Sequence, residues 1–209
     1  MRRATSTAVV VIAMAMASVA VFLLWRLNPS VVAENHLVEW LEVVFLLIAA
    51  AVHGVRAKAA AVGVDRTLRH GLMLLCLSLA VREVDIDKLL EGGSAMVVTE
   101  WTVRAVIVAL WAVYILLARQ WVDAIWSQRA VIASSTFASF VLIGCALYAA
   151  SWPFDKFPEY LGGTSVAMLI EETVQLCATI SFFASAALGV IFHQPQLREA
   201  ELSTSADVS

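Results

Sequence analysis

The sequence predicts an all-α polytopic membrane protein, a six-helix transmembrane bundle with both termini in the cytoplasm. The first observation is composition, because 61% of the 209 residues are hydrophobic and only 15% are charged. The mean hydropathy of +0.85 is higher than the charged surface of a soluble domain allows. The second is that apolar windows of about 20 residues, the length that crosses a bilayer, recur along the chain. The third is that basic residues are concentrated in every second connection between the predicted spans, as the positive-inside rule requires of cytoplasmic connections.

Six apolar windows predict the spans, and they cover 6–27, 36–56, 68–90, 102–122, 130–151 and 164–193. The first resembles a secretory signal, but its apolar core is longer than the ~7–15 residues of such a segment. Trp25 and Arg26 follow it instead of a small-residue cleavage site, so we predict a retained helix. In the third window, uninterrupted apolar sequence reaches only from Gly71 to Val81. This predicts either a short helix or one whose outer end carries charges within protein.

Basic residues near the span ends predict the orientation. With the N-terminus inside, nine of the 14 Lys and Arg residues are cytoplasmic, and an even number of spans returns the C-terminus to the same side. Those nine are Arg2, Arg3, Arg56, Lys58, Arg66, Arg69, Arg119, Arg129 and Arg198. We expect residues 1–193 to form a single domain and the polar segment 194–209 to be a disordered cytoplasmic tail. A bacterial inner membrane is the expected location for so small a chain.

Charge and motif content narrow the function classes. A net charge of −3 without a basic patch argues against nucleic acid as a partner. The expected partners are therefore the lipid bilayer and either another membrane protein or a second copy of the chain. The cysteines form no CxxC pair, and no histidine pair has the spacing of a zinc site. His53 and His70 could in principle hold a haem, but helix-end histidines at a headgroup surface are commoner, and haem is disfavoured.

Carboxylates inside the predicted spans carry the functional prediction. A charged residue such as Asp near the centre of a membrane helix costs ~2.5–3.5 kcal/mol on insertion scales, so such groups usually face the bundle or water. Helical spacing and orientation place acids of the second, third and sixth spans at one level in the outer half of the bundle. The predicted cation- or proton-binding residues, which are also the candidate metal ligands, are Glu39, Glu42, Glu83, Asp85, Glu171 and Glu172.

Basic and polar neighbours complete this predicted site. Arg82 and Arg104 reach the same level and are the predicted counter-charges. Gln175 and Thr179 continue a polar stripe along the last span. The acids outnumber the two arginines, and such an excess requires protons, a divalent cation or water to be tolerated. The alternative is a structural clamp in which the arginines pair with the acids. The segment 151–160, rich in aromatics and proline, is predicted to be a surface loop over the site.

Three functions fit this site. The favoured one is a transporter or channel-like protein that handles protons or a divalent cation, although few ionisable groups continue into the inner half of the bundle. The second is a non-catalytic subunit of a membrane complex, in which the charges clamp the bundle or grip a partner. The third is an intramembrane metal-dependent enzyme acting on a lipid or envelope precursor. No nucleophile motif is present, which leaves it open whether the chain is an enzyme.

Overall fold

The computed structural model describes residues 2–32, 37–84, 94–157, 159, 163–189 and 191, and within these ranges all regular structure is helical. The main helices are α1 (Arg2–Leu27), α2 (Leu37–Ala59), α3 (Val64–Glu83), α4 (Ser94–Ala118), α5 (Val122–Ser127), α6 (Arg129–Ala133), α7 (Thr136–Lys156) and α8 (Thr164–Leu188). Short 3-10 turns cover Pro29–Val32 and Arg119–Trp121. The all-α prediction is confirmed.

Five segments of the described chain are long and apolar enough to cross a membrane. They are Thr5–Leu27, Pro29–Ala59, Val98–Ser127, Thr136–Lys156 and Thr164–Leu188. This confirms a chain with several apolar helices of membrane-spanning length. The predicted third span, 68–90, corresponds to α3, which is not among the five because charged residues occupy both of its ends. The structure also ends this helix at Glu83, and residues 85–90 lie outside the described part of the chain.

The fifth predicted span, 130–151, has different bounds in the structure. α7 begins after Ser135, whose hydroxyl accepts a hydrogen bond from the backbone N–H of Ala138 at 3.1 Å. The helix then continues past residue 151 through Pro153 to Lys156. The prediction of a loop over 151–160 is therefore wrong for 151–156, because a proline in the last turns removes only one backbone hydrogen bond and the final turn still closes. Residues 158 and 160 lie outside the described chain.

α8 is the central helix of the bundle, and it packs against α1, α2 and α7. Small side chains allow this close packing. The hydroxyl of Ser181 donates to the backbone carbonyl of Phe140 on α7 at 2.8 Å. Gly144 of α7 leaves room for Phe182, since a Cβ at residue 144 would lie 2.9 Å from the Phe182 ring. These contacts make α8 the helix against which the other elements are positioned.

The helix pair α3 and α4 forms one edge of the molecule. Trp111 of α4 donates its indole N–H to Ser78 Oγ at 2.9 Å, and the Tyr114 hydroxyl donates to the carbonyl of Thr67 at 3.2 Å. Gly71 permits this approach, because a Cβ there would lie 2.5 Å from the Tyr114 hydroxyl oxygen. No described side chain of α4 is buried, so most of its apolar surface faces outward.

Charged side chains gather at the two ends of the bundle. At the acidic end, the C-terminal turns of α3 and α7 meet the N-terminal turns of α2 and α8. The acids at this end are Glu39 and Glu42 of α2, Glu83 of α3, and Glu171 and Glu172 of α8. At the basic end lie His53, Arg56, Arg69 and the C-terminal turn of α8. Between the ends, α2, α3 and α8 contribute an apolar layer that includes Leu46, Ala49, Cys76, Ala178 and Phe182.

Candidate functional site

Acids from three helices converge at the acidic end. The carboxylate of Glu42 lies within electrostatic range of four other acids, and we call the five the carboxylate cluster: Glu39, Glu42, Glu83, Glu171 and Glu172. They comprise five of the six acids singled out from the sequence. The sixth, Asp85, lies outside the described residues.

The helix directions explain why the cluster forms. Glu39 and Glu42 are three residues apart in the first turns of α2, so they share one face. Glu83 is the last residue of α3, and Glu171 and Glu172 lie two turns into α8. Because α3 runs opposite to α2 and α8, its C-terminal end meets their N-terminal ends. Glu39 is in the first turn of α2, where the helix dipole favours a negative charge, whereas the effect fades by the depth of Glu42.

Burial within the cluster increases from the surface inward. Glu39 and Glu171 are half-buried. Glu83 and Glu172 are each 8% exposed, and Glu42 is 0% exposed. The acids thus form a graded series from the end of the bundle into its interior, with Glu42 the most enclosed.

Hydrogen bonding divides the cluster into two groups. Glu83 accepts a hydrogen bond from the Tyr148 hydroxyl, and Glu171 Oε1 accepts one from the Gln175 side-chain amide at 3.0 Å. Both carboxyl oxygens of Glu42 and Oε2 of Glu172 are buried and have no hydrogen-bond partner among the described residues. An ionised carboxylate in such surroundings costs several kcal/mol, so a proton, water or cation must compensate for it.

The two predicted counter-charges occupy different places. Arg82 lies beside the cluster, with Nη1 4.0 Å from Glu83 Oε1 and the guanidinium 5.1 Å from the centre of the Tyr148 ring. Arg104 instead pairs with Glu100 on its own helix and lies over Trp101. The reason is that α4 packs against α3 at the edge of the bundle and makes no comparable contact with α2 or α8 among the described residues.

Residues of α7 also reach the cluster, and the sequence had not indicated them. Tyr148 donates to Glu83, and Asp155 lies within electrostatic range of Glu83 and Glu171. Asp155 was missed because the predicted span ended at residue 151, and Tyr148 was missed because it lies within that span and was taken as part of its apolar run. The available signal was the helical spacing of 148, 152 and 155 continuing past that point, with a phenol hydroxyl inside an otherwise apolar run.

Metal binding was part of the sequence prediction. Within the described residues, no three His, Cys, Asp or Glu side chains are arranged to hold a metal ion. The described part of the cluster therefore gives no support to a divalent-cation site. His53 is fully buried, and its Nε2 lies 3.2 Å from the hydroxyl oxygen of Ser185, so the interpretation of this residue as a headgroup histidine is wrong. Its burial follows from its position on the face of α2 that meets α8.

The predicted polar stripe of α8 continues inward from Glu172. Gln175 and Thr179 are both buried, and the Thr179 hydroxyl donates to the carbonyl of Leu176 at 2.9 Å. Beyond Thr179, α8 presents Phe182 to the apolar layer. The face of α8 that carries the stripe therefore becomes apolar at Phe182, whereas Ser181 and Ser185 are buried beside it.

Comparison of the chain with protein-family models, with curated protein sequences and with solved structures finds no match. Function is therefore inferred from the carboxylate cluster, its surroundings and the apolar helices that hold it. Among the described residues, the fold provides five helices that are long and apolar enough to cross a membrane, and buried acids at one end of the bundle.

Proposed function

We propose that this chain is a multi-pass inner-membrane protein that handles protons, as a transporter or a channel-like protein, through the carboxylate cluster. One observation carries the proposal. Glu42 and Glu172 are neighbouring buried acids, and three of their four carboxyl oxygens have no hydrogen-bond donor among the described residues. Ionisable groups inside membrane proteins commonly mark proton relays. Protonation of at least one of these two carboxyls removes the cost of two unpaired charges within electrostatic range of each other.

The graded burial of the cluster supplies a route for protons to enter. Glu39, Glu171 and Asp155 are half-buried and face the end of the bundle. Glu172 lies within electrostatic range of Glu39 and Glu171, and Glu42 lies within electrostatic range of Glu172. Transfer inward along this series ends at Glu42, the most enclosed carboxyl of the five.

Protons fit the described residues better than a divalent cation. Hard divalent cations are held by several oxygen ligands, some of which are water, and no three described acids are arranged to hold a metal ion. A proton needs only one carboxyl oxygen. The unpaired oxygens of Glu42 and Glu172 meet that requirement without any rearrangement.

We propose that α3 crosses the membrane as a sixth span, which gives the cytoplasmic N- and C-termini expected from the basic residues. α3 lies beside α2 along its length, because Arg66 Nε donates to Ala57 O at 3.0 Å near one end. Glu83 and Glu42 lie within electrostatic range at the other end. At ~1.5 Å per residue, its 20 residues extend about 30 Å, the thickness of the hydrocarbon core. The carboxylate cluster then faces the outer side, within one domain of residues 1–193, and the tail 194–209 is cytoplasmic.

Passage to the other side requires the apolar layer to open. We propose that this layer closes the bundle between Thr179 and His53; Leu46 and Phe182 are among its largest side chains. Hydration or repacking of the layer would join the polar stripe to His53 and Ser185 at the basic end. The closed layer is the resting barrier that a proton transporter needs.

Infrared difference spectroscopy of the full chain in liposomes tests the proposal. The wild-type protein is expected to show a carbonyl band from protonated carboxylic acid that changes with pH, and to carry protons in response to an imposed gradient. Glu42→Gln and Glu172→Gln should each reduce the band and the flux. Glu159→Gln serves as the matched control, because Glu159 is exposed and outside the cluster.

Two outcomes would overturn the proposal. The first is a wild-type spectrum without a pH-dependent carboxyl band, together with proton flux no greater than that of empty liposomes. The second is stoichiometric divalent metal in the purified protein that is lost in the Glu42→Gln and Glu172→Gln double variant. The second result would show that the acids bind a cation instead.

A further inference from the structure

A groove separates α3 from α4 at the basic end of the bundle. Its volume is about 410 Å³, within the range of ~300–1,000 Å³ that is usual for small-ligand sites. The groove is apolar along most of its length, where Met73 and Leu74 of α3 face Leu110, Val113 and Leu117 of α4. It therefore offers a slot for a hydrocarbon chain that runs parallel to the two helices.

The groove is held open by fixed contacts. Its floor includes Tyr114, whose hydroxyl donates to the carbonyl of Thr67 at 3.2 Å. Its end at the membrane surface is bounded by Trp121, which packs against the turn at Gly63. Gly63 has a φ of +152°, a conformation that residues with a side chain rarely adopt. The shape is thus defined by this turn and by a hydrogen bond between the helices.

An arginine and a histidine lie at the surface end of the groove. Arg66 and His70 are four residues apart on α3 and both line it, together with Gln120. Arg66 is held in place because its guanidinium donates to Ala57 O at 3.0 Å and to Lys58 O at 3.3 Å. No acid is among the residues that line this groove. The charge at its mouth therefore suits an anion.

We propose that this groove binds an anionic phospholipid, with the phosphate at Arg66 and His70 and one acyl chain along the apolar slot. The ligand must be both anionic and long-chained, because the cationic mouth and the apolar slot form one continuous cavity. Basic pockets between membrane helices on the cytoplasmic side commonly bind anionic lipid headgroups. Trp121 adds the amphipathic ring that favours the headgroup level. The site is separate from the carboxylate cluster and does not depend on proton handling.

Native mass spectrometry of the full chain, released from nanodiscs that contain phosphatidylcholine and phosphatidylglycerol, tests the headgroup contact. We expect phosphatidylglycerol to remain bound in preference to phosphatidylcholine. Loss of one Lys or Arg charge near the surface is worth about fivefold in affinity, so Arg66→Gln should reduce the bound fraction by about that factor. His70→Gln removes an imidazole hydrogen-bond donor and should reduce the bound fraction by a smaller factor. Arg129→Gln is the matched control, since Arg129 is exposed at the same end, lies over Trp126 and is outside the groove.

Arg66 also bonds the end of α2, so a second variant separates charge from folding. Arg66→Lys keeps the charge and disturbs the bonds to Ala57 and Lys58. Retention of phosphatidylglycerol by this variant, with loss in Arg66→Gln, supports the lipid site. Equal loss in both, with normal binding in His70→Gln, would show that only the bonds to α2 matter and would overturn the proposal.

The slot has its own test. Val113→Trp fills the groove, whereas Ile115→Trp places the same ring on an α4 side chain that is 60% exposed and lies outside the groove. We expect loss of the bound lipid in the first variant alone. Inorganic phosphate is then added as a competitor for the bound lipid. Displacement of the lipid by phosphate at equal affinity would show an anion site that does not bind an acyl chain. That result, or equal retention of the two lipids, would overturn the proposal.

Discussion

The two ends of the bundle bury charged groups in opposite ways. At the basic end, Arg56 donates to the carbonyl oxygens of Ala187 at 2.6 Å and Gly189 at 3.1 Å. Arg69 donates to Gly189 O at 3.4 Å and pairs with Asp65 at 2.8 Å. These carbonyls belong to the C-terminal turn of α8 and the residue after it, where the helix leaves its own acceptors unpaired and where its dipole favours cations.

At the acidic end, the most deeply buried acids have no comparable hydrogen bonds to the helix ends among the described residues. The N-terminal N–H groups of α2 and α8 lie a turn or more away from Glu42 and Glu172, and the unpaired oxygens of these two residues have no donor among the described residues. The basic end also contains unpaired atoms, Arg69 Nη1 and His53 Nδ1, but each of those side chains is bonded through another atom. Burial alone therefore does not identify a functional charge. Glu42 differs from Arg69 and His53 because neither of its carboxyl oxygens has a donor among the described residues.

The largest effect that would test this contrast is expected at the basic end. Arg56→Ala removes two charge-assisted hydrogen bonds to the end of α8, and each is worth about 1.5–3 kcal/mol. We expect a loss of about 3 kcal/mol in the free energy of unfolding, measured by reversible unfolding in bicelles. Arg129→Ala, at an exposed site, should change it by less than about 0.5 kcal/mol. Similar losses in the two variants would refute a structural role for Arg56.

The layer that separates the two ends should be the next most sensitive feature. Gly144→Ala places a methyl group 2.9 Å from the Phe182 ring, and overpacking of this kind costs about 1–3 kcal/mol. We expect a lower thermal unfolding temperature in detergent, with partial recovery in the Gly144→Ala and Phe182→Leu double variant. A fully stable Gly144→Ala protein would mean that the layer repacks easily.

A smaller effect on stability is expected at Glu83, an acid of the acidic end that accepts a hydrogen bond from Tyr148. Tyr148→Phe removes the hydroxyl that donates to Glu83, and we expect a loss of about 1.5 kcal/mol in unfolding free energy. A double-mutant cycle with Glu83→Gln isolates the pair, because two residues in contact show a coupling energy and two independent residues do not. Additive losses would show that the hydroxyl and the carboxylate do not interact.

The smallest change in stability is expected at Glu42, and it makes the contrast sharpest. Glu42→Gln removes a carboxyl that has no described partner, so the unfolding free energy should stay within about 1 kcal/mol of wild type or rise. The same variant should lose proton uptake in the infrared experiment. A destabilisation of about 3 kcal/mol or more would identify Glu42 as half of a buried structural pair, since removal of one partner costs that much.

Much of the fold was accessible from the sequence, because apolar length and helical period are local properties of the chain. The same two properties predicted one level for acids of α2, α3 and α8, and the structure places Glu42, Glu83 and Glu172 together. Their role in binding protons or cations stays a prediction. The sequence did not reveal which helices are neighbours, since span patterns do not encode which helices touch. For this reason neither the partner of Arg104 on its own helix nor the burial of His53 inside the bundle was predicted.

The end of α7 shows a second limit of the sequence. The run from Ser151 to Lys156 contains Pro153 and charged residues, which ordinarily indicate a loop. The helix nevertheless continues, because Phe157 N–H still bonds to the carbonyl of Pro153 at 2.9 Å and closes the last turn. Asp155 thereby reaches the carboxylate cluster. Helix ends are set by such single turns, so the residues that line a site at a helix end are the hardest to predict.

The apolar layer around Leu46 and Phe182 has an electrical consequence in the proposed topology. A membrane voltage falls mainly across the part of the protein that contains no water or mobile charge, and under the proposed function we expect that part to be the apolar layer. Moving one elementary charge through the full potential involves about 2.3 kcal/mol per 100 mV. Proton binding at Glu42 from the outer side should therefore depend only weakly on voltage, whereas the step that carries a proton past Phe182 should depend on it steeply.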